Sequence, residues 1–254
     1  MSAVNPWVIA VPSALAVAGG VMAYGAAHSQ SQLFGPTIRR TRSPHQLAIT
    51  FDDGPNPAIT PKLLDLLDRH GARATFFVIG RFVRQCPDLV RETVARGHAI
   101  GNHSDTHPNL FWLSRAQIRD ELRRCQDAVA KVTGEPPRWM RPPFGFRSPI
   151  LHGVVRELGL RGVVMWSLLP GDWRAKPTEW LIQRMEPVAT RAQRRLERPS
   201  GAGDVLCLHD GDHRFLNGDR RVTVAALEHW LPRWHDLGLE FVTINSLAPA
   251  AARC

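Results

Sequence analysis

Leu47-Ala-Ile-Thr-Phe-Asp-Asp-Gly-Pro55 is the stretch around which the rest of this chain is read. Its apolar half, Leu47 to Phe51, has the pattern of a short buried strand, and Gly54-Pro55 stops it abruptly. Asp52 and Asp53 therefore stand at a strand's C-terminal end, where α/β folds line their ligand crevices. Adjacent carboxylates repel, so the favourable arrangement gives them different work: one takes a metal and the other stays free as a base. A plain Asp-Asp-Gly turn would also end a strand. The histidine segments downstream decide against that simpler reading.

Outward from this stretch, strands and helices alternate. The leucines of Pro61–His70 recur at helical spacing, with Thr60 as expected N-cap and Gly71 as the stop. Ala74–Ile79 reads as a second buried strand, Pro87–Arg96 as a helix and His98–Gly101 as a strand. Ser114 caps a long amphipathic helix reaching about Val132. Further strands are expected at Trp139–Arg141, Gly162–Trp166, Val205–Leu208 and Phe241–Ile244, with a last helix over Val222–Leu237. Such alternation predicts an α/β fold with a parallel sheet or barrel, in one catalytic domain over residues 45–254.

Residues 1–44 read as a hydrophobic anchor or signal segment plus a polar linker. Trp7 to Ala27 carries no charge, which suits a membrane span of roughly 20 residues or a signal peptide. His28 to Pro44 is polar and bears two prolines, so the folded domain is expected to start near His45. No Lys or Arg precedes the apolar run, while Arg39, Arg40 and Arg42 follow it, where the positive-inside rule would hold them in the cytoplasm. The expectation is a membrane-anchored or exported protein, leaning to the extracytoplasmic side.

A formal charge of +9 and a pI near 10.5 raise the question of nucleic acid. The arginines are scattered, with small clusters at 39–42 and 191–195, and no zinc-finger, RRM or helix-turn-helix signature accompanies them. A basic face toward anionic lipid or cell-wall polymer fits better, and no nucleic-acid partner is expected. Cys86, Cys125, Cys207 and Cys254 show no Cys-x-x-Cys pair and no zinc spacing. A Cys86–Cys125 disulfide would suit an oxidising compartment; unpaired thiols suit the spacing better.

Several further segments carry chemistry. His103-Ser-Asp-Thr-His107 follows a strand, and its two imidazoles with one carboxylate make a donor set that leaves a metal positions open. In Arg141-Pro-Pro-Phe-Gly145 two prolines fix the backbone and an arginine can pair with a carboxylate. Gly171-Asp-Trp173 and Val205-Leu-Cys-Leu-His-Asp210 complete the set, the latter ending an apolar strand in an imidazole. By strand alternation Cys207 shares the face of His209.

Taken in order, Thr50–Pro55, His103–His107, Arg141–Gly145, Asp172-Trp173 and Leu208–Asp210 resemble the motifs of the polysaccharide deacetylase family, the NodB-homology or carbohydrate esterase family 4 type. The resemblance covers roughly His45 to Leu247 and implies a distorted (β/α) barrel, here preceded by an N-terminal hydrophobic helix. It also implies a divalent ion, zinc first and cobalt or manganese next, held by Asp53, His103 and His107. Asp52 would be the general base, positioned by Arg141, and His209 the general acid, tuned by Asp172. Trp173 would wall the acyl pocket, the backbone N–H of Phe144 would help hold the oxyanion, and Cys207 stands where relatives usually have Leu. The implied reaction is attack by metal-activated water on the N-acetyl amide of an N-acetylglucosamine polymer or oligomer, of chitin-oligosaccharide or peptidoglycan type. The alternatives are an amide or formamide hydrolase on a lipid-linked sugar or another non-peptide C–N bond, or an inactive carbohydrate-binding relative.

Overall fold

The computed structural model describes residues 6–197 and 201–247, with backbone only along 6–12 and at 14–15. Cys254 lies outside the described residues, as does the end of the domain predicted to reach it; Cys86, Cys125 and Cys207 are free thiols. The sheet consists of β1 (Thr37–Ile38), β2 (Gln46–Gly54), β3 (Ala74–Val78), β4 (Ala99–Asn102), β5 (Trp139–Met140), β6 (Gly162–Val164), β7 (Asp204–His209) and β8 (Glu240–Phe241). Its order is β1-β6-β5-β4-β3-β2-β7, with β8 added to the start of β2, and every pairing is parallel. The two ends of the sheet approach one another. Arg40, beyond β1, bridges Asp204 of β7, and Leu168, beyond β6, bridges Leu206. The result is a curled half-barrel closed by isolated bridges, the distorted α/β barrel expected of the sequence.

Side-chain alternation along β2 and β7 builds the site. Leu47, Ile49 and Phe51 of β2, with Leu206 and Leu208 of β7, join a core shared with the surrounding helices. Those helices include α2 (Thr60–Arg69), through Leu63 and Leu67, and α8 (Arg221–Asp236), through Leu227 and Trp234. The alternate residues face the barrel interior. Ala48 and Val205 pack there with Phe77 and Val164. Parallel register then sets Thr50 beside Cys207 and Asp52 beside His209, so the interior turns from apolar to polar toward the strands' C-terminal ends. Outside, α3 (Gly80–Gln85), α4 (Pro87–Ala95), α5 (Arg115–Thr133), α6 (Leu151–Glu157) and α7 (Thr178–Glu197) surround the sheet; α7 buries Leu181, Met185, Val188 and Ala192 at helical spacing. Ser114 caps α5 in a full capping box with Gln117, as read from the sequence.

Three local expectations are corrected. Thr60 is not a side-chain cap: α2 begins at Thr60 with Ile59 before it, and the Thr60 hydroxyl bonds Asp210 instead. The last strand is Glu240–Phe241, and Ile244–Leu247 forms a short 3-10 turn. Most importantly, the segment 28–44 is not a free linker. It supplies β1 as an edge strand, and the buried Arg147 guanidinium donates to the carbonyls of His28 (2.6 Å) and Ser31 (2.7 Å). Gln30 also donates to the Trp166 carbonyl at 3.1 Å. Its polar groups satisfy barrel groups far away in sequence, which makes the segment look solvated when read alone.

The uncharged run is helical as α1 (Pro6–Ala27), which ends against the barrel where Ala26 is buried. Further up, Val17 is 67% exposed and Val21, Met22 and Tyr24 project into solvent. Among the described residues no helix is long and apolar enough to cross a membrane; the side chains of the run's first part, where the span was expected, lie outside them. The arginine clusters also prove partly internal, since Arg40, Arg191 and Arg195 all pair with buried Asp204 at 3.1, 3.3 and 2.8 Å.

Candidate active site

At the C-terminal end of β2 simple alternation would send Asp52 and Asp53 to opposite faces. The register against β3 shifts between Asp52 and Gly54, and Asp53 adopts a left-handed φ of 72°. This bulge turns Asp53 back toward the face Asp52 already occupies. Among the described residues, the other non-glycine residues with positive φ are Ser104, His107 and Phe144, all in the segments read as chemistry-bearing. Backbone strain is thus concentrated around one cavity.

Asp52 is held from two sides. The fully buried Arg141 donates to its Oδ1 at 2.7 Å, and the Cys207 thiol lies 3.4 Å from Oδ2. Arg141 spends its remaining donors on Thr50 (2.8 Å) and on the carbonyls of Met165 and Val164, and its guanidinium lies 4.3 Å over the Phe77 ring. Every face of this cation is occupied, so it cannot follow a substrate. It fixes Asp52. Burial pushes the Cys207 thiol well above its ordinary range, keeping it a neutral donor beside that carboxylate.

His103 and His107 follow β4 on a loop anchored by buried polar groups. Glu121 of α5 accepts from the backbone N–H groups of Asp105 and Thr106, Asn102 accepts from Ser104 N–H, and the Ser104 hydroxyl accepts from His107 N–H. The His103 Nδ1–H meets the Arg141 carbonyl at 2.8 Å, which leaves Nε2 as a lone pair aimed at Asp53. Asp53 Oδ1 then lies 3.5 Å from His103 Nε2 and 3.1 Å from His107 Nε2. Burial lowers His107 to about 4, so at neutral pH it is an uncharged ligand-type imidazole.

Across the cavity, His209 ends β7. Its Nδ1 meets Asp172 Oδ1 at 2.8 Å, and its own N–H donates to Asp172 Oδ2 at 2.7 Å. Thr223 of α8 donates to the same oxygen at 2.9 Å. Burial disfavours the imidazolium, yet the Asp172 charge and hydrogen bond raise His209 to about 9. Trp173 lies edge-on to this imidazole with ring centres 5.1 Å apart, and with Phe144 it stands half-exposed at the rim of a cavity of about 550 Å³. All ten residues singled out from the sequence border this cavity or brace its walls.

His213 was missed. It lies on the loop after β7, its Nδ1 3.9 Å from Asp53 Oδ2, and it stacks on His107 with ring centres 4.4 Å apart. Among the described residues, Asp53, His107 and His213 form a compact donor group, each offering an atom within 4.8 Å of the others. The one sequence signal was spacing: His209 and His213 repeat the His-x-x-x-His interval of His103 and His107. Whether these residues suit a divalent ion can be judged from Asp53 itself. Its Oδ1 is buried and makes no hydrogen bond, although two imidazole nitrogens face it. Imidazole nitrogens converging on a buried carboxylate oxygen that makes no hydrogen bond to either are the donor arrangement a divalent cation satisfies. The residues fit.

A family profile described as polysaccharide deacetylase matches residues 39–163. A chitooligosaccharide deacetylase of Azorhizobium caulinodans is 36% identical over 207 residues, 79% of this chain and 93% of that protein. The chain belongs to the polysaccharide deacetylase family. It is a hydrolase of that class. A peptidoglycan-N-acetylglucosamine deacetylase of Bacillus cereus is 35% identical, covering 79% of this deacetylase-family chain and 87% of its own length. Among solved structures, the Bc1960 peptidoglycan N-acetylglucosamine deacetylase superposes with a TM-score of 0.72 at 27% identity, over 83% of this chain and 91% of that one.

Proposed function

We propose that this chain removes N-acetyl groups from an N-acetylglucosamine-containing polysaccharide or oligosaccharide, of the chitin-oligosaccharide or peptidoglycan type, in a divalent-metal-dependent reaction. The observation that carries the reading is the opposition of two differently held groups across one cavity. Arg141-locked Asp52 lies beside the Asp53 donor group, and Asp172-held His209 faces it. Asp53, His103 and His107 would hold the ion, zinc by preference and cobalt or manganese as substitutes, and when bound it would supply Lewis acidity toward the amide carbonyl and acidify water. Asp52 takes a proton from the attacking water. His209, with Nδ1 engaged by Asp172, gives its Nε2 proton to the departing amine, a poor leaving group until protonated. The Phe144 N–H steadies the developing oxyanion, and Trp173 with Cys207 bounds the acyl group.

We further propose that α1 associates with a membrane, its exposed Val17, Val21 and Met22 being the support, and that the barrel faces outward. The deciding experiment is acetate release from chitin oligomers, peptidoglycan and xylan by metal-stripped protein, with and without added zinc, cobalt or manganese. Acetate appearing only with metal and only from the N-acetylglucosamine substrates is the expected result. Formate release, release from xylan alone, or no release from any of them with every metal, would overturn the reading.

A further inference from the structure

His213 is not needed by the reaction above, yet its ring is built into the donor cluster. Its carbonyl accepts from the Arg81 guanidinium, and the preceding Asp212 is clamped by Arg214 at 2.8 Å and by Arg220 at 3.5 Å. The backbone of Asp212 also accepts from Phe215 at 3.2 Å, closing a tight loop. The imidazole is then wedged between His107, at 4.4 Å and nearly parallel, and the edge of Phe144 at 5.3 Å. A loop pinned on both sides, with its histidine turned inward onto another imidazole, holds a side chain aimed at the cavity.

We propose that His213 is a further protein donor, through Nδ1, to the divalent ion of Asp53, His103 and His107; this rests on the reading of those three as its ligands. Two ligand atoms each about 2.1 Å from a tetrahedral ion stand about 3.4 Å apart. The nitrogens of His107, His103 and His213 stand 3.1, 3.5 and 3.9 Å from oxygens of Asp53, on both sides of that value. The His213 contact is to Oδ2, whereas the other two face Oδ1, so His213 reaches the carboxylate through the oxygen that they do not face. Three donors leave a metal position free, whereas a fourth completes the set that tetrahedral zinc uses where it is closed to solvent. The resting site of this chain is accordingly closed and retentive, and His213 is the ligand that must yield to a substrate.

The test is metal binding by the full chain, read by competition with a chromophoric chelator and by the visible spectrum of the cobalt-loaded protein. His213→Phe keeps the stacked ring and removes the donor. It should weaken zinc binding by at least about 100-fold, the upper range for losing even an outer-sphere partner, and change the cobalt bands. His213→Gly should do the same, with added imidazole restoring both the affinity and the bands. Unchanged affinity and spectrum in both variants, with wild type binding one equivalent of metal, would overturn the role of His213 while leaving the metal site standing. A wild type that binds no zinc, or a His107→Ala variant that binds as wild type does, would instead bring down the underlying ligand set and the proposal with it.

Discussion

Arg141 and Asp52 are both buried, so each depends on the other to offset the cost of leaving water. Removing one partner of such a pair typically costs about 3–5 kcal/mol, because the other charge is left without compensation. Arg141→Met should therefore lower the urea-unfolding free energy by about that much, and adding Asp52→Asn should recover part of it. A single variant within 1 kcal/mol of wild type would mean that Asp52 finds another partner. On activity, Asp52→Asn should keep its metal and lose roughly 100-fold or more in turnover, the scale of one acid–base group. The His209 limb of the rate profile should fall near pH 9, since the group must be protonated to donate. Asp172→Asn removes the charge that raises it, so this limb should move to lower pH; a stationary limb would exclude His209 as the acid. Asp210 gives a separate pH effect on stability. Burial raises it to about 7, above its unfolded value near 4, so its contribution is full below pH 4 and lost as pH rises through 7. Asp210→Asn should flatten that part of the stability profile of the metal-free protein, measured by urea unfolding at each pH.

Among the elements, the edge strand β1 and the turn of chain before it matter beyond their length. They pair with β6 and provide both carbonyl partners of the buried Arg147. A chain beginning at Ser43 would lose those acceptors, and an unsatisfied buried donor costs about 1–3 kcal/mol, more when charged. Its melting temperature should lie well below that of a chain beginning at His28. Equal melting temperatures for the Ser43 and His28 starts would show that the segment is dispensable. At α5, Ser114→Ala removes a capping-box oxygen and should cost about 1 kcal/mol, with no effect on metal binding.

Over the whole molecule, the side chains of α1 from Val17 to Tyr24 stand off the barrel against which its last turn packs. Apolar side chains left in water are unfavourable at about 25 cal/mol per Å², so an exposed apolar helix calls for a covering surface. Full-length protein should sediment with membranes and be released by detergent, whereas a chain beginning at His28 should stay in the supernatant. Protease treatment of intact cells should then degrade the barrel if it faces outward. Cosedimentation lost in high salt alone would assign the association to the basic surface in place of α1.

Periodicity and punctuation were sufficient for the alternating strands and helices, because burial on a sheet or helix face imposes a local repeat on the residues themselves. The strand-end carboxylates and histidines were legible for a related reason: polar groups at the rim follow closely upon apolar strand residues. The bulge at Asp53, which brings both aspartates to one site, was not legible, since alternation alone points them apart. Nor were the roles of Thr60, of the segment 28–44 and of His213. Each is fixed by a partner more than a hundred residues away: Thr60 by Asp210, Ser31 and His28 by Arg147, and His213 by Arg81 and His107. A polar side chain carries its bonding capacity in the sequence, but which group satisfies it depends on what the folded chain places beside it.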